Sequence, residues 1–155
     1  MISIRSYTDQ DAEIFQSLNL AWIEQFFVVE AEDREQLQNP RHHILDQGGR
    51  ILIAERDGEA VGTVGLLPLP NSQRVELIKM SARADVQGLG IGKALMQAAL
   101  SAAREMGAQE IWLETNSKLS AAMHLYKTAG FRQLTAAEMT PTPYDRCNCQ
   151  MLLKL

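Results

Sequence analysis

Hydrophobic and polar positions alternate at the start of the chain. Ile2 and Ile4 fall against Ser3 and Arg5, which predicts a half-buried strand over residues 2–7. Thr8-Asp9-Gln10-Asp11 resembles a capping box, with Asp11 in the usual Glu position. The period then changes. Ile14, Leu18, Ala21, Trp22 and Phe26 recur at helical spacing, so one face of a helix should pack inward. Residues 28–38 are acidic and suit a short second helix, ended by Asn39-Pro40. After a Gly48-Gly49 turn, β-rich runs at 50–56 and 60–67 flank Asp57-Gly58, a hairpin signal. Pro68 and Pro70 close the second run, and a strand over 75–82 should be central.

The longest helix is expected over 90–106, with an inward stripe of Ile91, Leu95, Ala98, Ala102 and Met106, and Gly107 as its left-handed cap. A strand over 110–115, a helix over 119–129 capped by Gly130, and a short strand over 131–134 follow. An irregular Thr140-Pro141-Thr142-Pro143 loop leads to a last strand. There Cys147, Cys149, Met151, Leu153 and Leu155 face one way, and Asn148, Gln150 and Lys154 the other. The order βααβββαβαββ, without internal repeat or linker, implies a mixed sheet with helices on both faces and one domain over residues 1–155.

Composition narrows the functional classes. The chain has 155 residues, 46% of them apolar, with 22% charged and a net charge of −4. That describes a soluble, mildly acidic protein without the basic excess that general nucleic-acid binding requires. An acidic surface also disfavours anionic membranes, and no apolar run approaches the ~20 residues of a membrane helix. The first residues lack the pattern of a signal peptide. Cys147 and Cys149, two apart on a strand, are badly placed to bridge each other. A reduced, cytoplasmic protein is expected.

The chemistry centres on residues 75–92. A strand runs into Gln87-Gly88-Leu89-Gly90-Ile91-Gly92 and then into a helix starting at Lys93. Three glycines at alternate positions before a helix suit close backbone approach to an anion, the usual one being phosphate. The spacing is not the dinucleotide fingerprint, since Lys93 stands where that pattern continues. It is also one residue short of a P-loop and lacks the Ser or Thr for magnesium.

Gln87-x-x-Gly90-x-Gly92 resembles the acetyl-CoA signature Q/R-x-x-G-x-G/A of the GNAT acetyltransferase superfamily. Downstream, Asn116 and Ala122-Met123-His124-Leu125-Tyr126-Lys127-Thr128-Ala129-Gly130-Phe131 resemble that family's N…A-x-x-L-Y-x-x-x-G-F element. The resemblance covers essentially the whole chain, its first half by element order alone. It implies an α/β (α+β mixed) fold: a mostly antiparallel sheet of about seven strands with one splayed parallel pair, flanked by four helices.

It further implies acetyl-CoA as co-substrate. Backbone N–H groups from Gln87 through Gly88, Leu89, Gly90, Ile91 and Gly92 to Lys93 would receive the pyrophosphate. Lys93 either adds a charged contact or is a solvated helix residue. Met80, Ser81 and Ala82 would hold the pantetheine arm through main-chain groups. Asn116 would bond the pantetheine or order the loop after its strand. Tyr126 corresponds to the family's general acid, donating to the departing thiolate, and a backbone N–H near Met80 to the group that polarises the carbonyl. Glu76 is the candidate base. Strand alternation puts it on one face with Ile78, Met80 and Ala82, and burial there would raise its pKa. A water chain is the alternative to it.

The acceptor would be a primary amine of a small molecule, amino acid or peptide. Trp22, Phe26, Phe27, His42, His43, Tyr144 and Arg146 are within reach of its pocket, Tyr144 and Arg146 as binders of a substrate carboxylate. Trp22 and Phe26 are expected in the core, as are Cys147 and Cys149. His42 and His43 are expected in a loop, too few for a metal site. Glu24, Glu30, Glu32 and Asp33 make the helical cap acidic, which either favours a cationic amine or is simply a solvated face, the latter being expected. Two other readings stand beside the enzyme: a non-catalytic acyl-CoA-binding or sensing module, and the same fold with another acyl donor or a thiol or hydroxyl acceptor. Pairing of two copies through the last strands or helices is compatible with this layout.

Overall fold

The computed structural model describes residues 1–155. Its strands are β1 (Ile2–Ser6), β2 (Arg50–Arg56), β3 (Glu59–Pro68), β4 (Arg74–Ala82), β5 (Glu110–Thr115), β6 (Arg132–Gln133) and β7 (Cys149–Lys154). Its α-helices are α1 (Ala12–Phe26), α2 (Ala31–Gln38), α3 (Pro40–His43), α4 (Ile91–Glu105) and α5 (Ser120–Ala129). The seven strands form one sheet in the order β1-β2-β3-β4-β5-β7-β6. Every pairing is antiparallel except β4 with β5.

Both faces of the sheet are covered, which is why its strands read as apolar runs rather than clean alternations. Leu52 and Ala54 of β2 belong to the larger core, with Leu95, Ala99 and Ala102 of α4 and Met123 and Tyr126 of α5. Ile51 and Ile53, the alternate residues, pack on the other face with Phe15 and Ile23 of α1 and Leu37 of α2. Phe15 is wholly buried, so truncating it to Ala would cost about 3–5 kcal/mol. The Asp57-Gly58 hairpin has φ of 54° and 80° at its two turn residues, the geometry that favours Gly and Asp there. No helix is long and apolar enough to cross a membrane.

Four sequence expectations change. The inward residues of α1 are Phe15, Leu18, Asn19 and Ile23. Ala21 and Phe26 are exposed and Trp22 is half-buried, because that side of the helix borders a cleft instead of the core. His42 and His43 lie in α3, not in a loop, so five helices flank the sheet where four were expected. Pro40 opens a new helix, and the Asn39 side chain accepts from the His42 N–H at 3.3 Å. Gln150 is buried, not outward-facing, with its amide donating to Thr140 O and Glu114 Oε1 at 2.8 and 3.1 Å. Asp33, expected on a solvated face, is completely buried.

Candidate active site

The parallel pair β4/β5 is short. Arg74, Val75 and Glu76 pair with Glu110, Ile111 and Trp112, and beyond Glu76 the two strands part. On its other side β4 carries a bulge. Thr63 pairs with Ser81 and Gly65 with Ile78, so three residue steps of β4 face two of β3. Lys79 takes up the extra length at φ 50°, a left-handed conformation that a lysine seldom adopts.

The bulge is held from below. The Thr63 hydroxyl donates to Lys79 O at 2.8 Å and receives the Asn19 amide at 3.0 Å. Ser81 Oγ donates to Leu18 O at 2.9 Å, and Trp22 Nε1 to Asn19 Oδ1 at 3.0 Å. It is also held from the side. Lys79 Nζ lies 2.7 Å from Asp33 Oδ1 of α2, and the Arg146 guanidinium grips both Asp33 oxygens at 2.5 and 2.6 Å. Burial pushes the Asp33 carboxyl up, but the bonds from Arg146 and Lys79 outweigh it and hold the group down at about 2. The Arg146 guanidinium stacks 4.5 Å from the Tyr144 ring centroid, and Lys79 Nζ donates to the Tyr144 hydroxyl at 3.3 Å.

The bulge changes which residues share a face. Glu76 and Ile78 lie on the α1 side, but Met80 and Ala82 pack with the α4 core alongside Leu77. Strand alternation therefore fails at Lys79, and Glu76 does not share a face with Met80 and Ala82.

The parted strands open a cleft of about 660 Å³. It is lined by Glu76, Met80, Ser81, Ala82, Gln87, Gly88, Gly90, Ile91, Gly92, Lys93, Asn116, Tyr126, Tyr144 and Arg146. Of the residues singled out in the sequence, only Leu89 among the loop positions stays outside its walls, 49% exposed. Phe26, Phe27 and Cys147 line the cleft, and Trp22 lines it while also packing against the Phe15 and Ile23 core. Cys147 and Cys149 are free thiols, and Cys149 alone is buried. His42 and His43 lie outside the cleft. No group of three or more His, Cys, Asp or Glu is arranged to hold a metal ion.

The glycine loop has the properties of an anion cradle. Gly88 and Gly90 stand at φ 85° and 89°, and a Cβ at Gly88 would meet nothing within 4 Å, so the loop face is open. The first backbone bond of α4 runs from Ala94 N–H to Gly90 O at 3.0 Å, and no side chain caps the helix. The N–H groups of Ile91, Gly92 and Lys93 are thus left at the positive end of the helix dipole, a fit for a pyrophosphate.

The titratable groups of the cleft are displaced from their ordinary values. Burial, then repulsion from Glu114, raises the Glu76 carboxyl to about 8, with Lys79 opposing. Burial alone raises Tyr126 to about 12. Tyr144 is raised by burial and by the negative charge of Asp33 and Glu76. The Asn116 amide donates to Arg146 O at 2.8 Å, and its carbonyl accepts from the Lys118 N–H at 2.9 Å, so its side chain orders two loops. Asp33, Lys79, Asn19 and Thr63 were not singled out in the sequence as site residues. The one available signal was Lys79 itself, a lone cation inside the apolar run Leu77-Ile78-Lys79-Met80.

The family model described as Acetyltransferase (GNAT) family matches residues 12–131. N-acetyltransferase 8B of Homo sapiens is 33% identical over 97 residues, 60% of this chain, and the chain spans only 43% of that protein. A GNAT-family acetyltransferase structure from Staphylococcus aureus Mu50 superposes with a TM-score of 0.88 at 26% identity, covering 99% of both chains. The PaiA N-acetyltransferase of Thermoplasma acidophilum, solved in complex with coenzyme A, shares the fold with a TM-score of 0.78 at 20% identity, covering 100% of this chain and 99% of its own. A splayed β4/β5 pair, an open glycine loop at the start of α4 and a family match that runs through both place this chain in the GNAT acetyltransferase family.

Proposed function

We propose that this protein moves an acetyl group from acetyl-CoA directly to a primary amine of a small molecule, amino acid or peptide, within a ternary complex. The observation that carries this reading is that Glu76 and Tyr126 line one cleft, which also contains the glycine loop. The coenzyme A complex of the Thermoplasma relative supports the choice of donor.

The residues divide the work. The N–H groups at the start of α4 bind the pyrophosphate, and the edge of β4 freed by the splay offers main-chain groups at Met80, Ser81 and Ala82 to the pantetheine arm. A backbone N–H near Met80 polarises the thioester carbonyl. Glu76, its pKa near 8, takes a proton from the acceptor ammonium, directly or through water. The freed amine attacks the carbonyl carbon, the carbon–sulfur bond breaks as the carbon–nitrogen bond is completed, the thiolate takes a proton from Tyr126, and the second proton of the amine nitrogen returns to the Tyr126 phenolate, directly or through water. Lys93 adds charge beside the pyrophosphate. Arg146 has its cation committed to Asp33, so its task is to build the acceptor wall with Tyr144.

An amine panel read by release of free CoA thiol tests this. Acetylation of at least one amine, lost in Tyr126→Phe while acetyl-CoA still binds, is the expected result. Tight acetyl-CoA binding without turnover on any amine, thiol or alcohol would instead favour a sensing module. The free thiols of Cys147 and Cys149 suit the reducing cytoplasm.

A further inference from the structure

The acceptor side of the cleft holds one cation that no carboxylate neutralises. Arg146, expected from the sequence to meet a substrate carboxylate, has Asp33 and, at 3.6 Å, Glu30, and Lys79 is committed to Asp33 as well. Lys93 stands in the first turn of α4, beside the glycine loop. Lys118, in the loop between β5 and α5, lines the same cleft and is in no ion pair.

Lys118 is exposed, yet its main chain and its side chain are both fixed. Its backbone N–H donates to Asn116 Oδ1 at 2.9 Å. Its Nζ reaches helix α1, where it donates to Phe26 O at 2.8 Å and lies 4.3 Å from the Phe27 ring centroid. The Arg146 guanidinium lies 5.8 Å from the same centroid and 4.5 Å from that of Tyr144, so Lys118 continues the wall that Arg146 and Tyr144 build. Phe26 O takes one of the three ammonium N–H groups. A carbonyl and a ring face orient the cation without neutralising it. Its rotamer entropy is already lost, so an anion that docks there meets a preorganised partner.

Such an anion arrives with the acceptor, because the donor's pyrophosphate is received at the start of α4. Lys118 and Glu76 line one cleft, so a small molecule with an amine for Glu76 and an anion for Lys118 engages both. One ammonium matches a singly charged carboxylate, and the two make charge-assisted hydrogen bonds. We propose that Lys118 binds the carboxylate of the acceptor and that the acceptor is a free amino acid, its amine at Glu76 and its carboxylate beside Phe27. The inference rests on the acetyl-transfer reading for what happens at Glu76, but recognition of the carboxylate is measurable without turnover.

The test is calorimetric titration of the CoA-loaded protein with leucine, phenylalanine, β-alanine and γ-aminobutyrate, each against its carboxamide. At least one acid should bind about tenfold more tightly than its amide, the equivalent of one charged hydrogen bond. Lys118→Met should bring that ratio close to one, and Lys118→Arg should keep most of it, with the acetyl-CoA Kd within about twofold of wild type in both. Lys118→Gln keeps an N–H donor for Phe26 O without the charge, so it should lose the ratio as Lys118→Met does. Equal affinities for every acid and its amide, a ratio that Lys118→Met leaves unchanged, or a ratio that Lys118→Gln retains overturns the proposal. So does an acetyl-CoA Kd weakened about tenfold by Lys118→Met, which would place this lysine on the donor instead. Release of CoA thiol with the same pairs separates the two readings. Selective binding of an acid without CoA release keeps the carboxylate subsite and removes acetyl transfer, whereas acetylation of acids and amides with equal efficiency, unaffected by Lys118→Met, does the reverse.

Discussion

The Lys79 ammonium lies 2.7 Å from the Asp33 carboxylate, with side-chain exposures of 3% and 0%. This contact ties the bulge of the central strand to helix α2, and Arg146 closes the same carboxylate from the loop before β7. The cleft walls around Tyr144 and Arg146 therefore depend on one buried charge.

Removing that charge leaves Lys79 without an anionic partner and Arg146 with only Glu30, 3.6 Å away. Asp33→Asn should lower the unfolding free energy by about 3–5 kcal/mol, as for other broken buried ion pairs. The pH dependence follows from the depressed carboxyl. Its stabilisation is fully present above the unfolded value near 4 and is lost as pH falls toward about 2. Urea unfolding between about pH 5 and pH 2 should show a steeper loss in the wild type than in Asp33→Asn.

Glu76 should act in opposite directions on activity and stability. Under the base reading, kcat/KM rises with pH through about 8 as Glu76 deprotonates. Glu76→Gln should remove that limb and lower kcat about 10²- to 10⁴-fold. Because the folded carboxyl is raised, the folded chain keeps a proton that the unfolded chain releases, and stability declines from the unfolded value near 4.5 up to about pH 8. Glu76→Gln should therefore gain Tm at about pH 8 and gain little at about pH 4. An unchanged pH–rate profile in this variant would transfer the base role to a water chain.

Tyr126→Phe keeps the ring that packs edge-on against Phe131 at 5.9 Å, so folding should be nearly unaffected. Its loss should appear in kcat, by about 10²-fold or more, with the acetyl-CoA Kd within about twofold of wild type. The wild-type phenol, held at about 12, should cause no activity loss below about pH 10.

At Gly90, φ of 89° excludes a comfortable side chain. Gly90→Ala should cost about 1–2 kcal/mol and weaken acetyl-CoA binding by calorimetry, because the strain reorients the first N–H groups of α4. Gly92→Ala tests a different constraint. Its Cβ would meet Leu125 Cδ2 at 3.2 Å, a contact that a flexible side chain can relieve, so the change in Kd should be smaller.

Most of the fold was legible because it rests on local rules. The Asp57-Gly58 hairpin, the strand over 110–115 and the glycine-capped helices each follow from turn chemistry or from period, and each lies within a residue or so of its expected place. The inward face of α1 was read one residue off. Ile14, Trp22 and Phe26 are as apolar as Phe15 and Ile23, so periodicity could not tell a core from a cleft wall. Asp33 shows the same limit for charge. An acidic helix usually marks a solvated face, and its burial depends on Lys79 and Arg146, which are 46 and 113 residues away in sequence.

The sequence by itself determined the element order apart from α3, the glycine loop from Gln87 to Lys93 and the family, because motif spacing and hydrophobic period are local properties of the chain. Only the tertiary structure decided which face Glu76 shares. A left-handed Lys79, pinned by Thr63 from β3 and Asp33 from α2, breaks the period of two in the strand that the site is built on. That bulge is a compromise between strands and helices distant in sequence, and no residue pattern within β4 specifies it.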